Sequence, residues 1–84
     1  MLYEIGDILI CKKEINSSEL EMSNPNINIH IGDKYIITDK DDYPNNNPCH
    51  WYELESQANK NIYINAWNDE DHMVLDENFE KERT

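Results

Sequence analysis

The sequence predicts an all-β domain: a small five-stranded antiparallel barrel with a long first loop. Short runs of β-branched and aromatic residues recur along the chain, bounded by Gly, Asn, Asp or Pro, and the runs Trp51 to Glu55 and Ile62 to Ala66 alternate cleanly. The only two glycines, Gly6 and Gly32, sit in one repeated phrase, Ile-Gly-Asp, followed each time by a strand-like run. Glycine tolerates positive φ, so each phrase reads as a sharp turn leading into a strand. Five short strands in a chain of 84 residues favour a closed sheet, because closure removes edges that would otherwise aggregate.

Gly6-Asp7 introduces the first strand, Ile8 to Lys13, whose two faces both begin apolar, so periodicity does not say which points inward. From Asn16 to Asn28 the chain turns to Ser, Asn, Glu and one Pro, with Leu20, Met22 and Ile27 scattered through it. That stretch is a long loop, or a loop with a short helical turn starting at Ser17 or Ser18. Gly32-Asp33 then launches Lys34 to Asp39, with Tyr35 and Ile37 on one face and Ile36 and Thr38 on the other. Asp41 to Pro48 is polar and proline-punctuated, which suits a surface loop and not a central strand. In the third strand Tyr52 and Leu54 face one way and Trp51, Glu53 and Glu55 the other. After a turn at Ser56 to Lys60, Ile62, Ile64 and Ala66 form the inward set of the fourth strand and leave Tyr63, Asn65 and Trp67 outward. An acidic turn at Asn68 to Asp71 leads to a short fifth strand, His72 to Leu75, and Phe79 returns an aromatic ring to the core. One domain over residues 1–79 and a charged, frayed tail over 80–84 complete the expectation.

Size and charge restrict function. At this length folding buries only about 60% of the unfolded chain's surface, so a deep catalytic cleft is hard to build. Hydrophobic residues make up 38% of the chain, well above the depleted composition of disordered segments, so the domain should fold alone. Eighteen acidic residues against seven basic ones give a net charge of −11, which argues against direct binding to nucleic acid or to an anionic membrane. Such acidity serves solubility, or a surface that engages a basic partner. The chain has no apolar run of about 18 residues and no charged-then-apolar leader, which predicts a cytoplasmic protein. In that compartment Cys11 and Cys49 are expected reduced, with Cys11 buried.

The motifs of catalysis and metal binding are not legible. Cys49-His50, with Cys11, His30 and His72 elsewhere, contains enough soft ligands for zinc, but adjacent Cys-His in a proline-bounded loop lacks the usual spacing. Asp39 to Asp42 and Asp69 to Asp71 are oxygen-rich, yet neither has the glycine and terminal Glu of a calcium loop. No nucleophile elbow, phosphate-binding loop or His-Glu-x-x-His sequence occurs. The expectation is a protein without catalytic residues, cofactor or metal.

The order Ile5-Gly6-Asp7-Ile8-Leu9-Ile10-Cys11, a long polar loop, Ile31-Gly32-Asp33-Lys34-Tyr35-Ile36-Ile37, a Trp51-Tyr52-Glu53-Leu54 and Ile62-Tyr63-Ile64-Asn65-Ala66-Trp67 hairpin, and a closing Leu75-Asp76-Glu77-Asn78-Phe79 resembles the small SH3-like β-barrel proteins of bacteriophage genomes. The resemblance runs from Tyr3 to Phe79. It implies a barrel, a viral or mobile-element origin with function in the host cytoplasm, and a role in binding proteins; it carries over no catalytic residues. The chain departs from the peptide-binding SH3 pattern in having no Trp-Trp or Pro-x-x-Tyr arrangement, so a proline-rich ligand is not expected.

The candidate binding surface is the outward set of the third and fourth strands: Trp51, Glu53, Glu55, Tyr63 and Trp67, continued by the acidic turn Asp69, Glu70 and Asp71. Aromatic rings supply buried area and stack on Arg, and carboxylates pair with its charge. The alternative for each Trp is a cap on the barrel end. Three functions fit this pattern: an acidic module that binds and inhibits or redirects a host protein, a nucleic-acid mimic acting against a nuclease or another DNA-binding protein, and a small virion or assembly component. A mimic needs carboxylates in rows, a conventional interface needs an aromatic centre with a polar rim, and self-association marks the assembly component.

Overall fold

The computed structural model describes residues 3–20, 27–40, 51–68 and 73–83. Its strands are β1 (Ile8–Cys11), β2 (Ile15–Asn16), β3 (Asn28–Ile29), β4 (Lys34–Lys40), β5 (Trp51–Ser56), β6 (Tyr63–Trp67) and β7 (Phe79–Lys81), with a 3-10 turn at Ser17–Leu20 and one short helix, α1 (Val74–Asn78). Five strands form an antiparallel sheet in the order β6-β5-β4-β1-β7, and β2 and β3 form a separate ribbon. The protein is mainly β, as the sequence predicts.

Both Ile-Gly-Asp phrases build the same turn. Asp7 N–H donates to Glu4 O at 3.0 Å and Glu4 N–H donates to Asp7 Oδ2 at 2.9 Å; Asp33 and His30 repeat the pair at 3.0 and 2.9 Å. Gly6 (φ 99°) and Gly32 (φ 95°) occupy the third position, where the chain must turn left-handed. The turns clamp opposite ends of one strand pair. Gly6 N–H donates to Ile37 O and Ile37 N–H to Asp7 O; at the other end Gly32 N–H donates to Cys11 O and Cys11 N–H to Asp33 O. The bonding around β1 and β4 is therefore two-fold symmetric, with Leu9 opposite Tyr35 at its middle.

One face of the sheet carries the core. Leu9 and Cys11 of β1, Tyr35 and Ile37 of β4, Tyr52 and Leu54 of β5, and Ile64 and Ala66 of β6 are all buried. Tyr3 packs edge-on against Tyr52 with ring centres 5.7 Å apart, and Tyr35 packs edge-on against Phe79 at 6.0 Å. Within the long first connection, Ile15 pairs with Ile29, both buried, and the turn at Ser17–Leu20 drives Leu20 into the core. Ser17 Oγ accepts from Ile27 N–H at 3.0 Å and ties the two sides of that connection together.

Two expectations are corrected. The residues expected to form a fifth strand at His72 to Leu75 instead lead into α1, and His72 lies outside the described residues. A one-turn helix buries Val74, Leu75 and Asn78 on one side, a spacing that serves the core as well as alternation would. Its first N–H groups are satisfied from a distance: Asn68 Oδ1 accepts from Leu75 N–H at 3.0 Å and Asp76 N–H at 3.1 Å. The first residues of the charged segment 80–84 expected to fray, Glu80 and Lys81, are part of the sheet. β7 pairs with β1, Glu80 opposite Ile10 and Lys81 opposite Leu9, and Glu82 N–H donates to Ile8 O at 2.8 Å.

The barrel, too, is not closed. β6 and β7 end the sheet without meeting, and α1, which runs directly into β7, touches both of them. A bulge between Ile37 and Asp39, with Thr38 as the extra residue, twists β4 across β5 without bringing the edges together.

Candidate protein-binding face

The second face of the sheet is the candidate site. Alternation places Trp51, Glu53 and Glu55 of β5 and Tyr63 and Asn65 of β6 on it, and the pairings Glu55–Tyr63, Glu53–Asn65 and Trp51–Trp67 make them cross-strand neighbours. Trp51, Glu53 and Glu55 are half-buried, and Tyr63 is 40% exposed. The side chain of Trp67 and the residues Asp69, Glu70 and Asp71 lie outside what the structure describes. So do Cys49 and His50; Cys11 is buried with its thiol free.

Local bonding holds the acidic part of this face in position. The Thr38 hydroxyl at the bulge donates to Glu53 Oε1 at 2.9 Å, orienting a carboxylate across two strands. The Tyr63 hydroxyl bonds to Glu55, and this bond, with the negative charge of Glu55 and then of Glu53, raises the phenol above its ordinary pKa. The hydroxyl stays protonated and remains a donor to its carboxylate throughout the physiological range.

The face continues where the sequence reading stopped. Ile36 of β4 pairs with Glu55 on one side and with Ile8 of β1 on the other, so one row runs Tyr63, Glu55, Ile36, Ile8 across four strands. Ile10 lies beside this row, opposite Glu80, and Lys34 reaches Glu82 at 2.9 Å near the β7 edge. Ile8, Ile10 and Ile36 are half-buried and form an apolar centre. Glu53 and Glu55 stand on one flank, Glu80 and Glu82 on the other. The signal for this was the apolar character of both faces of β1: Leu9 and Cys11 are used inside, which leaves Ile8 and Ile10 outside.

Among the described residues, no three His, Cys, Asp or Glu side chains gather as a metal site, and no helix is long and apolar enough to cross a membrane. Comparison with protein-family models, with curated proteins and with solved structures finds no match.

Proposed function

We propose that this protein is a binding module whose acidic, aromatic-bearing sheet face engages a basic surface on another protein. The observation that carries the reading is the arrangement of that face, with Ile8, Ile10 and Ile36 at its centre, glutamates on both flanks, and Tyr63 beyond Glu55 and Trp51 beyond Glu53. Apolar area at the middle of a charged rim is the anatomy of a protein interface. Carboxylates split into two flanks by isoleucines support this better than mimicry of a continuous phosphate row. A net charge of −11 accelerates encounter with a basic partner and makes the association salt-sensitive. Covering a partner's basic surface also withholds it from that partner's own anionic ligands, so inhibition is the natural consequence. At the level of fold, we read the sheet as an opened variant of the SH3-like arrangement: five strands, a long first connection and the last strand beside the first support it.

Capture of proteins from bacterial lysate, with wild type compared against Trp51→Ala and Glu55→Lys, tests the proposal. Both positions point away from the core, so both variants should fold. The expected result is a specific protein retained by wild type at low salt, released at high salt and lost from both variants. Capture that neither substitution changes, or no capture at low salt, refutes it.

A further inference from the structure

Among the described residues the outer side of β7 is an open sheet edge, and we infer that it accepts an extended segment of a foreign protein as a sixth strand, one with basic residues at alternate positions and an acidic residue between them. This site differs from the face described above and does not depend on it. Lys12 N–H donates to Asn78 O at 2.9 Å and Glu82 N–H to Ile8 O at 2.8 Å, so even-numbered residues of this segment turn their backbone groups toward β1. Odd-numbered residues turn theirs away. Phe79 N–H is taken up by Leu75 O at the end of α1, which leaves the Phe79 carbonyl and both backbone groups of Lys81 facing outward. No strand among the described residues pairs with that side. A cleft of about 780 Å3 opens there, lined by Tyr3, Lys12, Asp76, Phe79 and residues 80–83. Its size suits a few residues of extended peptide.

Charge decides the occupant. Antiparallel pairing of β7 with a second copy of itself must match its outward backbone groups, and three registers satisfy that. They set Glu80 against Glu80, Glu80 against Glu82 together with Lys81 against Lys81, or Glu82 against Glu82. Like charges directly opposite destabilise a strand pair, so the edge rejects its own copy. The same row of alternating charge, Glu80, Lys81, Glu82, welcomes its complement. A partner strand reading basic, acidic, basic puts a cation beside each glutamate on one face and a carboxylate beside Lys81 on the other. Lys12, Lys81 and Arg83 are three of only seven basic residues in the chain, and they line this cleft together with Asp76, Glu80 and Glu82, so the cleft carries balanced charge in a chain of net −11.

A short capped peptide with Lys-Glu-Lys at its centre, flanked by Thr and Val, probes the edge; its palindromic pattern fits either strand direction. The charge-inverted peptide with Glu-Lys-Glu is the control. In amide NMR the first peptide should shift signals from Phe79 to Arg83 and slow hydrogen exchange at Lys81 by about tenfold at saturation, and the inverted peptide should do neither. Lys81→Pro removes an outward-facing N–H together with the cation that lies 3.4 Å from Asp7, and leaves the ladder to β1 intact; it should weaken binding by about tenfold or more, whereas Lys81→Gln, which keeps the N–H, should weaken it less. Glu80→Lys with Glu82→Lys should reverse the preference between the peptides, which keeps the test decisive if the proline variant unfolds. The inference is overturned by absence of binding at millimolar peptide, by shifts confined to Trp51, Glu55 and Tyr63, by equal binding of the two peptides, or by dimerisation through β7. Loss of lysate capture with Trp51→Ala but not with Lys81→Pro leaves the sheet-face proposal standing, so the two failures are separable.

Discussion

Asn68 should hold the last third of the fold together, and replacing it tests the account of α1. Its side chain is 3% exposed, and Oδ1 accepts from two consecutive helix N–H groups, those of Leu75 and Asp76. Asn68 also forms an isolated β-bridge with Met73, the residue before the helix. In Asn68→Ala both N–H groups lose their acceptor. Loss of a cap costs about 0.5–2 kcal/mol, and a buried donor left unsatisfied costs about 1–3 kcal/mol. The two figures overlap in part, so the sum expected is about 2–3 kcal/mol. A chain of this length has a total stability of about 4–13 kcal/mol. The melting temperature should fall by about 10–20 °C, followed by tryptophan fluorescence, with a matching drop in urea midpoint. Asn68→Asp keeps the acceptor and adds a negative charge at a helix N-terminus, so it should stay within about 1 kcal/mol of wild type. This role of Asn68 is refuted if the alanine variant loses less than about 0.5 kcal/mol, or if the aspartate variant falls as far as the alanine one.

Gly6→Ala and Gly32→Ala should each cost about 1–2 kcal/mol through backbone conformation alone, since an added Cβ meets nothing within 4 Å at either position. Similar losses in urea denaturation are expected, and a loss at only one site would show that the two turns are not equivalent. Tyr3 is held protonated by burial first, then by the hydrogen bond it donates to Asp76 and by the charge of that carboxylate, so its pKa lies well above the ordinary value near 10. Its contribution to stability is complete below about pH 10 and is lost as pH rises through the raised value, because the unfolded chain releases that proton first. Alkaline unfolding followed by circular dichroism should therefore begin above about pH 10 and lose steepness in Tyr3→Phe; an unchanged profile counts against this role for Tyr3.

The middle of the sheet was legible because its residues alternate without ambiguity. Tyr35 with Ile37, Tyr52 with Leu54, and Ile64 with Ala66 each state their inward face, and the structure buries all six. That alternation also singled out Trp51, Glu53, Glu55 and Tyr63 as neighbours. The C-terminal third was not legible, for a different reason at each point. Val74 and Leu75 are apolar neighbours in either a strand or a helix, and the acceptor that selects helix is supplied by Asn68, from outside the segment. Glu80 and Lys81 look like a tail because their side chains are exposed, but it is their backbone that pairs with β1. Closure failed as an expectation because it was argued from edge protection in general. Here the sheet stays open between β6 and β7, and a row of alternating charge marks the β7 edge instead.

The twin turns have a mechanical consequence for the whole sheet. Because each end of the β1–β4 pair is closed by a glycine amide and an aspartate carbonyl, sliding one strand past the other by even two residues would break all four bonds at once. The central pair is thus the stiffest part of the domain, and freedom to move grows outward, toward β6 on one side and β7 on the other. Hydrogen exchange should be slowest at Cys11 and Ile37 and faster toward both margins. Rigidity is concentrated beneath Ile8, Ile10 and Ile36, while the strands bearing Trp51, Tyr63 and the β7 edge keep room to adjust to what they meet.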